Sequence, residues 1–266
     1  MQEHTPWNKE LSEIETTSIV RHCDHWGFFA IISDLQIVII DKQILACHRD
    51  TKVLDNGRVL TCRFEISKDN YVTFVPVYGV SHSSSDRNNT STAPTAEDSR
   101  LGKMATVQKQ VTNIIMKASE TIDLIYVFGD LQDTPDQSRL FHHGSCRVPK
   151  HPLGIVKTCE SLGLVCTVYQ HLDTLDTPVV TRHGSKGGRF IDGMYASPAS
   201  ISNVLGIQII NDSSVHSDHD LVLSKIDLGI KQFQVSKDKE ERFDFKKIMN
   251  IPVQIKRGED HPSLST

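Results

Sequence analysis

The sequence predicts an α+β protein. Strand-length apolar runs separated by turn residues fill its first third, and a long helix with one apolar face follows. That helix leads into a continuous apolar run of the kind a sheet buries on both faces. Strands and helices thus occupy separate stretches as well as alternating ones.

The strands begin after Gly27. "FFAIIS" (Phe28 to Ser33), "LQIVIID" (Leu35 to Asp41) and "VLTCRFEI" (Val59 to Ile66) are apolar runs with polar stops. The turn signal "LDNGR", with Asn56-Gly57, precedes the third. "YVTFVPVYGV" (Tyr71 to Val80) is rich in β-branched and aromatic residues, and its Pro76 is expected at an edge or a bulge. An antiparallel meander is the simplest arrangement. Residues 81–100 are Ser-, Thr- and Asn-rich and predict a long mobile loop.

Leu101, Met104, Val107, Val111, Ile114, Ile115 and Ala118 then recur at spacings of three and four, which places them on one helical face. "LIYVF" (Leu124 to Phe128) is the doubly buried strand. A second helix is expected over Leu153 to Leu162 and a strand at "LVCTVY" (Leu164 to Tyr169). The last strands are "FIDGMYAS" (Phe190 to Ser197) and "LVLSKIDL" (Leu221 to Leu228). Residues 1–229 are expected to form one domain. Residues 230–266, with "KDKEERFDFKKIMN" and a polar end, read as a charged linker or tail.

A chain of 266 residues can bury a substantial core, and 38% apolar with 23% charged residues is ordinary for a globular protein. The net charge of −4 argues against a basic, non-specific nucleic-acid wrapper. It leaves room for an enzyme that touches nucleic acid through a metal. The six cysteines form no Cys-x-x-Cys and no framework spacing, so free thiols in a reducing compartment are expected. "RHCDH" (Arg21 to His25) has no second ligand cluster to face it and is read as a surface loop. The start "MQEHTPWNKEL" lacks a signal-peptide run, and no stretch reaches the roughly eighteen apolar residues of a membrane span. An intracellular protein is expected, with the nucleus open to it and no membrane partner.

Polar knots close three of the apolar strands. The first is "FGDLQD", with Asp130, Gln132 and Asp133; the second is "GGRFIDGMY", with Arg189 and Asp192; the third is "HSDHD", with Ser217, Asp218, His219 and Asp220. Carboxylates half-buried at strand ends are costly unless paired or metal-bound. Oxygen donors of this kind suit Mg²⁺ or Mn²⁺. Each residue alone also has a plain structural use. Asp130 can cap a turn, Asp192 can pair with Arg189, His219 can be a satisfied structural histidine, and Tyr78 can be a core residue with a bonded hydroxyl.

In that order, "GDLQD", "RFIDGMY" and "SDHDLVL" resemble three motifs of the endonuclease/exonuclease/phosphatase superfamily. "FVPVYGV" resembles a fourth, with Tyr78 as its tyrosine, and "MQEH" resembles the superfamily's glutamate motif, with Glu3 as its metal ligand. Within the superfamily the chain looks most like the endonuclease domain of non-LTR retrotransposons. The tail "RFDFKKIMNIPVQIKRG" is similar to the linker that there leads into a reverse transcriptase.

The resemblance implies a four-layer α/β/β/α sandwich with two mainly antiparallel sheets. It implies Glu3 and Asp218 at an Mg²⁺ or Mn²⁺ ion, Asp130 as the base for the attacking water, and Gln132 positioning that water or a phosphate oxygen. Asp192 would orient His219 toward the phosphate, Tyr78 would donate to another phosphate oxygen, and Arg189 is the substrate-binding candidate. The sequence departs from the pattern at Gln132, where the superfamily has asparagine. It also begins at the glutamate motif, so the superfamily's first strand and helix are expected to be missing, leaving an open sheet edge. The implied activity is hydrolysis of a phosphodiester in DNA by a retrotransposon-derived endonuclease domain. The alternatives are an inactive remnant of such a domain and a phosphatase of the same superfamily acting on a lipid or inositol phosphate. DNA is the implied partner, with a reverse transcriptase domain in the parent element.

Overall fold

A computed structural model describes residues 13–33, 35–54, 57–80, 95–133, 153–171, 179–184, 187–211 and 217–229. In chain order these form α1 (Glu13–His25), β1 (Phe28–Ile32), β2 (Ile37–Asp41), a 3₁₀ helix (Lys42–Cys47), β3 (His48–Leu54), β4 (Val59–Ser67) and β5 (Asn70–Pro76). Then come α2 (Thr95–Glu120), β6 (Leu124–Asp130), α3 (Ile155–Ser161), β7 (Val165–Cys166), α4 (Thr167–His171), β8 (Arg182–Gly184) and β9 (Gly187–Arg189). β10 (Asp192–Ala196), α5 (Pro198–Ile201), β11 (Val204–Ile210) and β12 (Leu221–Ile226) complete the series.

The central element is a six-stranded mixed sheet in the order β3-β4-β5-β6-β10-β7. β5 and β6 are parallel, because the chain crosses over through α2 between them; the other pairs are antiparallel. Hairpins β1–β2 and β11–β12 put Ile40, Val204 and Ile207 into the same apolar core as Val59, Val75 and Val127 of the large sheet. Helix α2 packs on β4 and β6, with Met104, Val107, Val111, Ile115 and Ala118 buried along the expected stripe, while α1 packs on β1. This is the α/β/β/α order of layers. Fully burying side chains of this size stabilises by about 1.5–3 kcal/mol each, which is why the stripe decides where α2 sits.

A second anchor is polar. Asp123, just before β6, is buried and accepts hydrogen bonds from Arg63 (2.8 and 2.9 Å), Thr73 (2.7 Å) and Thr121 (2.7 Å). Arg63 also lies 3.7 Å from the centroid of the Tyr71 ring. Strands β4 and β5 and the α2–β6 turn are thereby tied at the sheet end opposite Asp130.

Several expectations need correction. "RHCDH" is the last turns of α1, not a loop; Cys23 is buried in it. β3 was not expected, since "HRDTKVL" is polar, but it needs only one paired edge and half-exposed faces. "LVCTVY" is a strand only at Val165–Cys166 and then turns helical, burying Thr167 and Val168 in α4. β11 was also missed. The loop expected over 81–100 gives way to helix at Thr95, and residues 81–94 lie outside the described residues. Pro76 sits in an inner strand, neither at an edge nor at a bulge. The β4–β5 ladder lapses there, between the Cys62–Phe74 pair and the Val59–Val77 bridge, so its missing N–H leaves no broken bond. The charged tail lies outside the described residues as well.

Candidate active site

Three strand ends meet where the central sheet faces the β11–β12 hairpin. β6 ends in Asp130 and β10 begins with Asp192, and the antiparallel register places the two directly opposite each other. The third knot does not come from a neighbouring strand of the same sheet. It arrives on the turn before β12, in the other layer.

β5 brings Tyr78 to this place by running on beside β6. The Val77 N–H donates to the Phe128 carbonyl (2.8 Å) and the Gly79 N–H to the Asp130 carbonyl (2.7 Å). The approach requires glycine on both strands. A Cβ at Gly79 would lie 2.2 Å from the Leu131 oxygen, and one at Gly129 (φ +129) 2.3 Å from the Val77 oxygen. The Arg58 guanidinium sits 5.4 Å from the Tyr78 ring centroid and donates to the Gly79 carbonyl (3.0 Å).

His219 is held by Asp192, whose carboxylate oxygens lie 2.9 and 3.0 Å from Nδ1. Burial opposes the imidazolium, but the bond to Asp192, its charge, and those of Asp130 and Asp218 raise the His219 pKa. Asp130 moves the opposite way in charge: burial first, then the Asp192 carboxylate, push its carboxyl up to about 6, against the opposing pull of His219 and Gln132. Tyr78 is raised by burial and by Asp130, with Arg58 and Arg182 acting against them. A carboxyl near neutrality beside a charged-prone imidazole is an acid–base pair in waiting.

Gln132 clamps Asp130, donating from its backbone N–H to Oδ1 (3.1 Å) and from Nε2 to Oδ2 (2.6 Å). It does so from a left-handed backbone (φ +51), a conformation asparagine adopts more readily than glutamine. Asp133 serves α3 instead, accepting the Val156 N–H (3.2 Å). Asp218 is bound by Arg182 Nε (2.8 Å) and lies 3.8 Å from His219 Nε2. Arg189 stands exposed at the end of β9; the partner of Asp192 is His219. Glu3 lies outside the described residues.

Thr181 was missed by sequence reasoning. It is fully buried, and its hydroxyl accepts the N–H groups of Ile191 and Asp192 (both 3.0 Å). Its carbonyl accepts the Asp220 N–H (2.7 Å), so one residue ties the Asp192 strand to the His219 turn. Beside it, Asp220 is held by Asn211 (2.7 Å) and lies 2.8 Å from His183 Nε2. A lone threonine ahead of a Gly-rich turn carries no sequence signal for such a role.

Among the described residues, Asp130, Asp192 and His219 form a group whose potential ligand atoms all lie within 4.8 Å of one another. Two carboxylates set opposite each other favour a cation between them, and oxygen donors fit a hard divalent ion. Nδ1 of His219 is directed at Asp192, so the carboxylates are the fitting half of the group.

The fold has close counterparts among solved structures. A 3′-5′ exonuclease from Neisseria meningitidis superposes with a TM-score of 0.55 at 15% identity over 78% of this chain and 83% of its own. A 3′ phosphatase from Neisseria bound to a product DNA hairpin gives 0.57 at 14% identity over 83% and 86%. An AP endonuclease from Archaeoglobus fulgidus gives 0.55 at 12% identity over 78% and 82%. The chain shares the fold of these three proteins, an exonuclease, a 3′ phosphatase and an AP endonuclease. No protein-family profile and no curated protein sequence matches the chain. The sequence motifs lie at the ends of β6 and β10 and on the turn before β12.

Proposed function

We propose that this protein is a metal-dependent phosphodiester hydrolase that cuts DNA, an endonuclease domain of retrotransposon descent. The observation that carries the reading is the convergence of Asp130 with the Asp192-held His219, the potential ligand atoms of all three lying within 4.8 Å of one another. Asp130, clamped by Gln132, accepts the proton of the attacking water. Asp192 fixes the His219 tautomer with hydrogen on Nδ1 and favours the imidazolium, whose Nε2–H donates to a phosphate oxygen. The Tyr78 hydroxyl, kept protonated by its raised pKa, donates to another.

A divalent ion, Mg²⁺ or Mn²⁺, would supply charge neutralisation at the phosphate when bound; Glu3 and Asp218 are the residues that the sequence motifs assign to hold it. DNA as substrate is supported by the DNA-bound Neisseria counterpart. Retrotransposon descent, and a reverse transcriptase domain beside this one, rest on the order of the sequence motifs and on the tail.

The test is nicking of supercoiled plasmid by the full chain with Mg²⁺ or Mn²⁺. Activity is expected with either ion and none in excess chelator, and Asp130→Asn is expected to lower turnover by about two to four orders of magnitude. Wild-type protein that leaves plasmid intact but releases phosphate from inositol phosphates would replace this reading with the phosphatase one. Inertness toward both would make the chain a remnant.

A further inference from the structure

We infer that Arg58 is the positioning residue for Tyr78: it holds the tyrosine's peptide and ring together and so aims the phenol into the site. The inference rests on the phosphodiester reading above and deepens it. A tyrosine that donates to a phosphate oxygen needs its ring fixed as well as its backbone, since a small misplacement of a reacting partner is costly. One residue fixes both polar groups of the Tyr78 backbone. The Tyr78 N–H donates to the Arg58 carbonyl (2.8 Å), and Arg58 Nη1 donates back to the carbonyls of Tyr78 (3.4 Å) and Gly79 (3.0 Å). Arg58 is itself held. It follows Gly57, whose left-handed backbone (φ +85) turns the chain toward β4, and Gln36 Nε2 donates to the carbonyls of Gly57 (2.7 Å) and Arg58 (2.8 Å).

The same guanidinium covers the Tyr78 ring, with its carbon 5.4 Å from the ring centroid. Among the described residues its hydrogen bonds go to carbonyls and not to a carboxylate, so no counter-ion cancels its charge at the ring face. The other arginines near this place are engaged differently. Arg182 is bound to Asp218 (2.8 Å), and Arg189, directly opposite it in the β8–β9 ladder, is exposed. A cation over an aromatic face is attracted by the ring quadrupole, so it restrains the ring where a neutral neighbour would only fill space. It also acts on the hydroxyl. Burial and the charges of Asp130 and Asp218 hold the phenol proton more tightly, while Arg58 and Arg182 loosen it. Arg58 therefore serves the hydroxyl twice, in its direction and in its strength as a donor. An arginine suits both tasks, because a planar fork can bond a carbonyl at its edge and still stack by its face; a lysine ammonium has no such face.

The experiment incorporates 3-fluorotyrosine into the full chain and follows the ¹⁹F resonances, with Tyr78 assigned among the five tyrosines by the signal that Tyr78→Phe removes. Plasmid nicking in Mg²⁺ runs beside it. Arg58→Met, which keeps the aliphatic stem, is expected to shift and broaden the Tyr78 resonance, to raise the pH at which it titrates, and to lower kcat by about ten- to a hundredfold. Arg58→Lys should bring the titration back toward wild type and restore part of the rate. In a Tyr78→Phe background Arg58→Met should lower kcat by less than about threefold more, because the two residues act as one unit. A clasp that only joined the strands would lower the melting temperature and leave the resonance and kcat in place. Circular dichroism checks the fold; if Arg58→Met unfolds, Arg58→Lys takes its place and must still move the resonance and lower kcat. A folded variant with the wild-type Tyr78 resonance or the wild-type kcat overturns the inference. So does an equal loss of rate with and without the Tyr78 hydroxyl, which would make Arg58 a direct DNA contact. Wild-type protein that never nicks, with a Tyr78 resonance that does move in the variant, overturns the hydrolase reading alone. No nicking together with an unmoved resonance overturns both.

Discussion

Asp192→Asn should move both limbs of the pH–activity profile downward. On the proposed mechanism the wild type's rising limb belongs to Asp130, which accepts a proton only when ionised. With its carboxyl near pH 6, roughly one-tenth is ionised at pH 5 and nine-tenths at pH 7. The falling limb belongs to His219, which donates only as the imidazolium and whose raised pKa keeps it charged above its ordinary value. Both shifts draw on Asp192. Its charge sits directly opposite Asp130 in the β6–β10 register, and its oxygens lie 2.9 and 3.0 Å from His219 Nδ1. Removing that charge eases the ionisation of Asp130 and withdraws the support of the imidazolium. Burial still holds Asp130 above the ordinary carboxylate range. Asp130 and Asp218 remain around the imidazole. An asparagine can also offer its N–H₂ to Nδ1 and trap the wrong tautomer, so peak kcat/KM should fall by about two to four orders of magnitude. The assay is plasmid nicking from pH 4.5 to 9 at fixed ionic strength, in units chosen to span both limbs. Because the groups are coupled, the limbs report the site as a whole. A variant whose limbs stay where the wild type has them would refute the electrostatic account, whatever its rate.

Gly79→Ala should cost both stability and activity, because its Cβ would lie 2.2 Å from the Leu131 backbone oxygen and force β5 away from Asp130; thermal unfolding and nicking check it together. Gln132→Asn should raise stability by a few tenths to about 1 kcal/mol by easing the left-handed backbone, while the shorter amide loosens its hold on Asp130 and shifts the acidic limb; denaturant titration and the pH profile read the two effects. Asp123→Asn should destabilise by about 2–4 kcal/mol, with the part-exposed Arg63 keeping the loss below that of a fully buried pair. Burial raises the Asp123 pKa, but Arg63, Thr121 and Thr73 outweigh it and lower it. Its contribution is thus complete above the unfolded carboxylate value and lost as pH falls through the lower folded one, so acid should unfold wild type through this step but not the variant. Denaturation at pH 7 and pH 3 separates them.

What could be read in the sequence was whatever repeats or carries chemistry locally. The α2 stripe was legible because spacings of three and four are a backbone geometry, and five of its seven members are buried. β6 was legible because a strand covered on both faces has no polar positions to break its run. β3 was not, since an edge strand needs ladder bonds more than apolar side chains, and its residues are His48, Arg49, Asp50, Thr51 and Lys52. "LVCTVY" misled because β-branched residues favour strands only until packing decides otherwise; burying Thr167 and Val168 against β10 wins there. The site divides in the same way. Asp130, Asp192 and His219 stand out in sequence only as a set, because their three polar knots follow one another in the order of known motifs. Thr181 and Arg182 do not, because their parts depend on which backbone runs beside which. The Thr181 hydroxyl reaches across ten residues to Ile191, and the Arg182 guanidinium across thirty-six to Asp218. The candidate chemical groups are therefore written as residue types, while the groups that hold them in place are written as topology, and only the second kind needs coordinates to be seen.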